Sequence, residues 1–206
     1  MPRGPDSVAF EDLLRRRGTG AQGNPEVEGE IHAQYTDDCA VMILDSSGFT
    51  RLTKAHGIIH FLSLVVRMRD LTLPLCESHN AIAAWAEADN LYAIFKTAKD
   101  ALRCAIEIQA VVMAENAERP ETDRLAVCIG LGYGKMLRIG GENVYGDEVN
   151  LASKLGEDIA GPNEVLITQT LYDKAGDKDL QVELFSQRVS DVDIQYYRVR
   201  LPEQDD

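Results

Sequence analysis

The chain has 206 residues, 45% apolar and 27% charged, with 21 basic and 34 acidic side chains and a net charge of −13. Such a composition suits one medium-sized globular domain with a sizeable core. The acidic balance, with no basic cluster to override it, argues against nucleic acid or an anionic membrane surface as a partner.

Residues 1–34 are rich in Gly, Pro and charge, with "RRRGTGAQGNPEVEGE" at their centre. They read as a flexible N-terminal arm, with at most a short helix near "FEDLLRRR". No apolar signal core and no run of ~18 apolar residues is present, so no membrane segment is expected. Cys39, Cys76, Cys104 and Cys128 are far apart, each within an apolar run and without a CxxC pair. Reduced core thiols and a cytoplasmic location are the simplest expectation.

The domain proper, 35–206, begins with "CAVMILD", a buried strand by its length and nearly unbroken apolar character. "HGIIHFLSLVVRMRDLTLPLCESH" follows as a long helix, with Ile59, Leu62, Val66 and Leu73 at helical spacing and Pro74 as a point of kinking or termination. "AIAAWAEADNLYAIF" reads as two strands around a hairpin turn. In "TAKDALRCAIEIQAVVMAENAE", Leu102, Ala105, Ile106, Gln109 and Val112 trace an amphipathic helix capped by Thr97 and Asp100. "RLAVCIGLGYGKMLRI" reads as a strand continuing past a glycine-rich bend, and "GDEVNLASKLGEDIAG" as a helix closed by Gly161. "EVLIT", "LQVELFS" and "IQYYRV" complete the strands. The order β-α-β-β-α-β, then α-β and a hairpin, predicts an α+β, ferredoxin-like (split βαβ) fold with helices on one face of a mostly antiparallel sheet.

Three segments carry chemistry. Asp45 ends the first strand and "SSGFT" then opens a helix, an arrangement that suits a cation held by the acid and an anion received by free N–H groups. The same residues also serve as an ordinary helix cap. Asp89 sits in the hairpin turn "ADN", where turn acids are common, but the split βαβ order sets that turn beside the end of the first strand. Two acids without His or Cys companions favour Mg²⁺ or Mn²⁺ over zinc. In "NVYGDEVNLASKLGE", Gly146 makes a turn and Asn150 and Lys154 lie four apart on one helix face; the plain alternative is an exposed face with Lys154 pairing Glu157 or Asp158.

Taken together, "LDSSGFT", "EADNLYAIF" and "NVYGDEVNLASK" resemble, in order, the motifs of the class III adenylate and guanylate cyclase catalytic domain, over residues 38 to about 200. The resemblance implies a homodimer with sites at the interface, each drawing residues from both chains. It implies two metal ions, Mg²⁺ or Mn²⁺, held by Asp45, Asp89 and the carbonyl of Ser46. Gly48, Phe49 and Thr50 would hold the terminal phosphates of a nucleoside triphosphate, and Asn150 would position the ribose. The reaction implied is attack of the 3′-hydroxyl on the α-phosphate, releasing pyrophosphate and a 3′,5′-cyclic nucleotide.

The departures from that pattern are specific. Trp85 stands where adenylate cyclases carry a base-reading Lys, and Asn143 where they carry its partner Asp. Lys154 replaces the helix Arg that stabilises charge on the reacting phosphate, supplying a point charge but not a planar fork. A triphosphate-binding Lys is missing, with Asp191 near its place and Arg188 close by. Altered base specificity is therefore expected, with Trp85 either stacking on a base or packing in the hairpin. The alternative to an active enzyme is a degenerate cyclase-homology domain that binds a nucleotide or only dimerises, and a heterodimer whose partner supplies the missing cations is a third arrangement.

Overall fold

The computed structural model describes residues 5–189 and 192–201. Eight strands form one sheet: β1 (Thr36–Ser46), β2 (Ala81–Glu87), β3 (Asn90–Phe95), β4 (Val127–Ile139), β5 (Asn143–Tyr145), β6 (Val165–Thr168), β7 (Val182–Val189) and β8 (Val192–Val199). Their order is β2-β3-β1-β4-β6-β8-β7, with β5 beside β4. Of the paired neighbours only β4 and β6 run parallel. β1 is central and buries six residues in succession, Cys39–Leu44, because both faces of the sheet are covered at this point.

One face carries α3 (Phe49–His56), α4 (Ile58–Ser78), α5 (Ala98–Ala117) and α7 (Gln169–Ala175). Met42, Leu44, Leu91, Phe95, Ile129 and Leu131 of the sheet meet Phe61, Met68, Leu102, Ile108 and Leu171 of these helices in the main core. The capping residues of α5 act as expected: Thr97 Oγ1 accepts from Asp100 N–H at 3.1 Å. Short α7, absent from the sequence reading, is capped in the same way by Thr168 accepting from Leu171 N–H at 3.3 Å. α4 runs through Pro74 to Ser78. Most of the apolar positions that trace its helical spacing face away from the core. Phe61, Leu64, Val65, Met68, Thr72 and Cys76 are buried, whereas Ile59, Leu62 and Val66 are 79%, 51% and 54% exposed. This helix is apolar on two sides, so helical spacing alone does not identify the side that faces the sheet.

The helices are not confined to one face. α6 (Asp147–Ser153), continued by a π-helical turn at Lys154–Ile159, lies across the other face of β4. Gly130, Gly132 and Gly134 do not bend β4, which pairs with β1 without interruption from Thr36↔Leu137 to Ser46↔Val127. They remove side chains where α6 comes down. A Cβ on Gly132 would lie 2.6 Å from Glu148 O, and one on Gly156 would lie 2.8 Å from Ile43 O; one on Gly130 would overlap the carbonyl of Ala152.

The expected flexible arm is instead a helical hairpin, α1 (Pro5–Arg17) and α2 (Pro25–Tyr35). Asn24 caps α2 and Pro25 opens it. Leu13, Val27, Ile31 and Tyr35 are buried against Ile139, and Phe10 meets Tyr35 edge-on at 5.1 Å. The charges that made the segment look like a tether pair across the hairpin, Arg16 with Glu30 and Arg17 with Glu28. All four cysteines are buried and unbonded.

Gly130→Ala provides a test with a definite sign. Strand propensity alone favours Ala by about 0.5 kcal/mol. The overlap with Ala152 reverses this, and urea unfolding should show a loss of about 3 kcal/mol. Gly141→Ala, where a Cβ meets nothing within 4 Å, should be neutral.

Candidate active site

Asp45 and Ser46 end β1 next to the edge of the main core. Ser47 N–H bonds to Ala126 O at 2.8 Å, fixing the chain as it leaves the sheet, and Gly48 turns it at φ 97°, a left-handed conformation that glycine adopts freely. The first intrahelical bond of α3 is Leu52 N–H to Gly48 O at 2.9 Å. The N–H groups of Phe49, Thr50 and Arg51 therefore precede the ladder and have no acceptor within the helix. Phe49 is held edge-on to Phe61 at 4.8 Å, while Thr50 is exposed.

The hairpin of β2 and β3 closes through Ala88 and Asp89, with Ala88 at φ 51°. Arg69 of α4 donates to the Ala88 carbonyl and anchors the turn. Because Leu44 pairs with Leu91, Asp45 stands level with Asn90, and Asp89 lies beside it. Burial pushes the Asp45 carboxyl up to about 6, helped first by the charge of Asp89 and then by that of Glu157; the Ser46 N–H opposes the shift. Among the described residues neither Asp45 nor Asp89 has a basic partner. Two like charges facing one another without a counter-ion fit a divalent cation. Among the described residues no third His, Cys, Asp or Glu joins them as a ligand, so further coordination would fall to the Ser46 carbonyl, water or phosphate oxygens.

Glu157 was not singled out in the sequence as part of this site. The π-helical turn brings it to the hairpin, where it accepts from Asn90 Nδ2 at 3.1 Å and from Ser153 Oγ at 2.9 Å. It is thus occupied elsewhere than with Lys154, which has no ion pair among the described residues. The one available signal was Gly156, a glycine inside a helix, which marks a close backbone approach. Asn90 also reaches Tyr92 Oη at 3.3 Å, and Tyr92 stacks on Trp85 at 5.3 Å with 13° between the planes. Trp85 therefore sits half-buried on the α6 face of the sheet, at the level of Ile43.

Asn150 is exposed on α6, and Lys154 follows one turn later at the start of the π-helical segment. Asn143 is elsewhere. It pairs with Ile139 at one end of β4, whereas Asp45 pairs with Cys128 at the other, eleven residues away. That is roughly 35 Å of strand. Beside Asn143, a cavity of about 530 Å³ opens between β5 and α1, with Phe10, Leu14 and Tyr145 among its walls. Arg188 is exposed on β7, and Asp191 lies outside the described residues.

The family described as the adenylate and guanylate cyclase catalytic domain matches residues 31–193. The chain belongs to this family. Its fold is that of a solved adenylate/guanylate cyclase/hydrolase from Silicibacter pomeroyi, with a TM-score of 0.71, 24% identity, and coverage of 82% of this chain and 98% of the other. The guanylyl cyclase Cya2 superposes with a TM-score of 0.69 at 18% identity, over 82% of this chain and 96% of that one. In sequence, the chain is 25% identical over 134 residues to a protein of Rhizobium meliloti (strain 1021) named "Putative adenylate cyclase 3", covering 65% of this chain and 22% of that protein. The chain spans about a fifth of the length of the curated relatives it matches. No helix among the described residues of this cyclase domain is long and apolar enough to cross a membrane.

The raised Asp45 titration has a consequence for stability. Its pKa in the fold, about 6, exceeds the unfolded value near 4, so the folded state holds the proton more tightly. Its contribution to stability therefore falls as pH rises from about 4 to 6 and stays low above that. Asp45→Asn should stabilise the protein without added cation by about 1–2 kcal/mol at pH 7, after allowance for solvent screening. At pH 4 the gain should vanish. Thermal unfolding of both proteins at the two pH values measures this.

Proposed function

We propose that this domain is a dimeric, Mg²⁺- or Mn²⁺-dependent nucleotidyl cyclase that converts a nucleoside triphosphate to a 3′,5′-cyclic nucleotide and pyrophosphate. The observation that carries the reading is the pairing of Asp45 and Asp89 beside the unsatisfied N–H groups that open α3. Acids and free N–H groups at one spot accept a cation and a polyphosphate together. This matters for a protein of net charge −13, which otherwise repels its substrate.

In this reading Asp45, Asp89 and the Ser46 carbonyl hold two cations. When bound, they supply Lewis acidity at the phosphates and align an in-line displacement. The N–H groups around Gly48, Phe49 and Thr50 hold the terminal phosphates. Asn150 orients the ribose so that its 3′-oxygen reaches the α-phosphorus. As that bond forms, the bond to the pyrophosphate oxygen breaks and the hydroxyl proton is released. Lys154 offsets charge on the reacting phosphate as a point charge, at some loss of rate relative to a guanidinium fork. Asn143 and Trp85 stand on the base side. With neither the Lys nor the Asp of the adenylate pattern, selectivity between bases is altered.

Because roughly 35 Å of strand separates Asn143 from Asp45, one chain does not supply both ends of a site. A homodimer in which the acids of one chain face the base side of the other meets this requirement. The exposed apolar stripe of Ile59, Leu62 and Val66 on α4 supports an oligomer, since such a stripe is a costly surface to leave in water. A cytoplasmic setting, which supplies triphosphates and keeps four thiols reduced, suits the same reading.

Purified protein incubated with ATP, GTP, CTP or UTP and Mn²⁺ should release a cyclic product from at least one, and Asp45→Ala should reduce it by at least about 10²-fold. No product from any, with tight triphosphate binding by calorimetry, would instead point to a regulatory nucleotide-binding module.

A mixing experiment reads the composite site directly. Asp45→Ala and Asn150→Ala proteins, each inactive alone, should recover about a quarter of wild-type turnover when co-assembled, one intact site forming in each heterodimer. No recovery would place both residues in the same half-site.

A further inference from the structure

Glu148 is the second residue of α6, and its carboxylate is committed to three donors, one on β4 and two at the junction of β6 and α7. Its Oε2 accepts from Tyr133 N–H on β4 at 3.1 Å and from Thr168 Oγ1 at the end of β6 at 2.7 Å. Its Oε1 accepts from Thr170 Oγ1 in α7 at 2.8 Å. No basic residue joins this set among the described residues. The side chain lies flat over Gly132 and Gly134, where a Cβ would come within 2.9 Å of it at both positions.

The surface under α6 makes this arrangement necessary. Helices on sheets are normally kept in register by side chains of one fitting between side chains of the other. Here β4 offers three glycines in alternate positions, a smooth track that lets the helix come close but offers little resistance to sliding along the strand. The apolar contacts of α6, through Ala152 and Leu155, are non-directional. The three hydrogen bonds of Glu148 are directional and point to fixed places on β4 and at the β6–α7 junction. They set where along β4 the helix stops.

We propose that Glu148 is a positioning residue that fixes the register of α6 on the glycine track of β4, and through it the placement of Asn150 and Lys154. The inference rests on the cyclase reading for its effect on turnover, but not for its effect on the helix. Asn150 stands two residues beyond Glu148 and Lys154 a further turn on, so a slip of the helix carries both. A displacement of about 1 Å at a reacting group costs about 10²-fold in rate. The acids and the N–H groups of α3 are held by other elements and are not displaced with it.

The test compares wild type with Glu148→Ala and Glu148→Gln in the full chain, by Mn²⁺-dependent cyclisation and by amide hydrogen exchange of residues 147–153. A glutamine oxygen can still accept from Tyr133 and Thr168, while its amide donates to the Thr170 oxygen. Glu148→Gln should therefore keep turnover within about threefold of wild type and leave exchange unchanged. Glu148→Ala should lower kcat about 10²-fold with KM for the Mn²⁺-triphosphate within about twofold, and exchange across 147–153 should speed up at least tenfold. Turnover of folded Glu148→Ala within threefold of wild type, or a loss that follows only the fraction unfolded, would overturn the proposal. Should wild type itself make no cyclic product, the cyclase reading has failed. The exchange data then decide alone, and equal protection in wild type and Glu148→Ala overturns the positioning role. If Glu148→Ala does not fold, Thr170→Val, which removes only the outer bond, should lower kcat about tenfold. An unchanged kcat there counts against it.

Discussion

The structure depends on one backbone-to-backbone approach, that of α6 and its π-helical turn to β4. Gly130, Gly132 and Gly156 leave no room for a Cβ at this crossing, so helix and strand meet through carbonyl and amide groups rather than side chains. The α6 side of the candidate site is arranged around that contact. It brings Glu157 to the hairpin, sets Asn150 and Lys154 above the sheet, and leaves α3 to α5 free to build the core on the opposite face. Replacing interdigitated side chains by glycine gives up much of the packing energy that holds a helix to a sheet. Compensation comes from polar groups, chiefly Glu148 and the pair Glu157–Asn90, and from Leu155, which closes a small cluster with Leu166, Ile194 and Tyr196.

The electrostatics of the other end follow an opposite logic. Asp45 is pushed towards neutrality by burial and by the nearby charges of Asp89 and Glu157. Nothing in the fold benefits from this. The same acids in contact with lysines or arginines would stabilise the domain, as Asp37 does between Lys96 and Arg138 on the neighbouring part of the sheet, where the cations hold its carboxyl below the usual range. Two aspartates on one strand of the same sheet thus have opposite environments. Asp37 fastens strands together, while Asp45 is kept in a field that a cation would relieve. Perturbed acids of the second sort concentrate where chemistry is done.

Much of this was legible in the sequence, for identifiable reasons. β1 declares itself because both its faces are covered, giving an unbroken apolar run from Cys39 to Leu44. The strand order then puts the hairpin turn level with Asp45 without any knowledge of side-chain positions. What was hidden depends on partners remote in sequence. The inward stripe of α4 is hidden because Ile59, Leu62 and Val66 keep helical spacing just as the buried stripe does. The N-terminal hairpin looks like a flexible arm in sequence because its few apolar residues, Leu13, Val27 and Ile31, acquire meaning only against Ile139. The glycines of β4 suggested a bend because a glycine that admits another backbone looks the same in sequence as one that turns the chain.

The two ends of β4 also bear on how base choice and chemistry are divided. Asn143 stands beside α1, on a short strand that pairs only with the last residues of β4, whereas Asp45 ends a strand flanked by β3 and β4. The acid end is rigid by construction, with a central strand on each side of it. The base end is at the margin of the sheet and rests on a helical hairpin held by one small cluster and a few surface ion pairs, each of little energetic weight. Changes at Asn143 therefore leave the acid pair and the opening of α3 intact, whereas Trp85, stacked on Tyr92 in the hairpin that carries Asp89, is not separated from them. A departure from the family pattern at Asn143 is compatible with retained phosphate chemistry, because roughly 35 Å of strand lies between its end of β4 and the end beside Asp45.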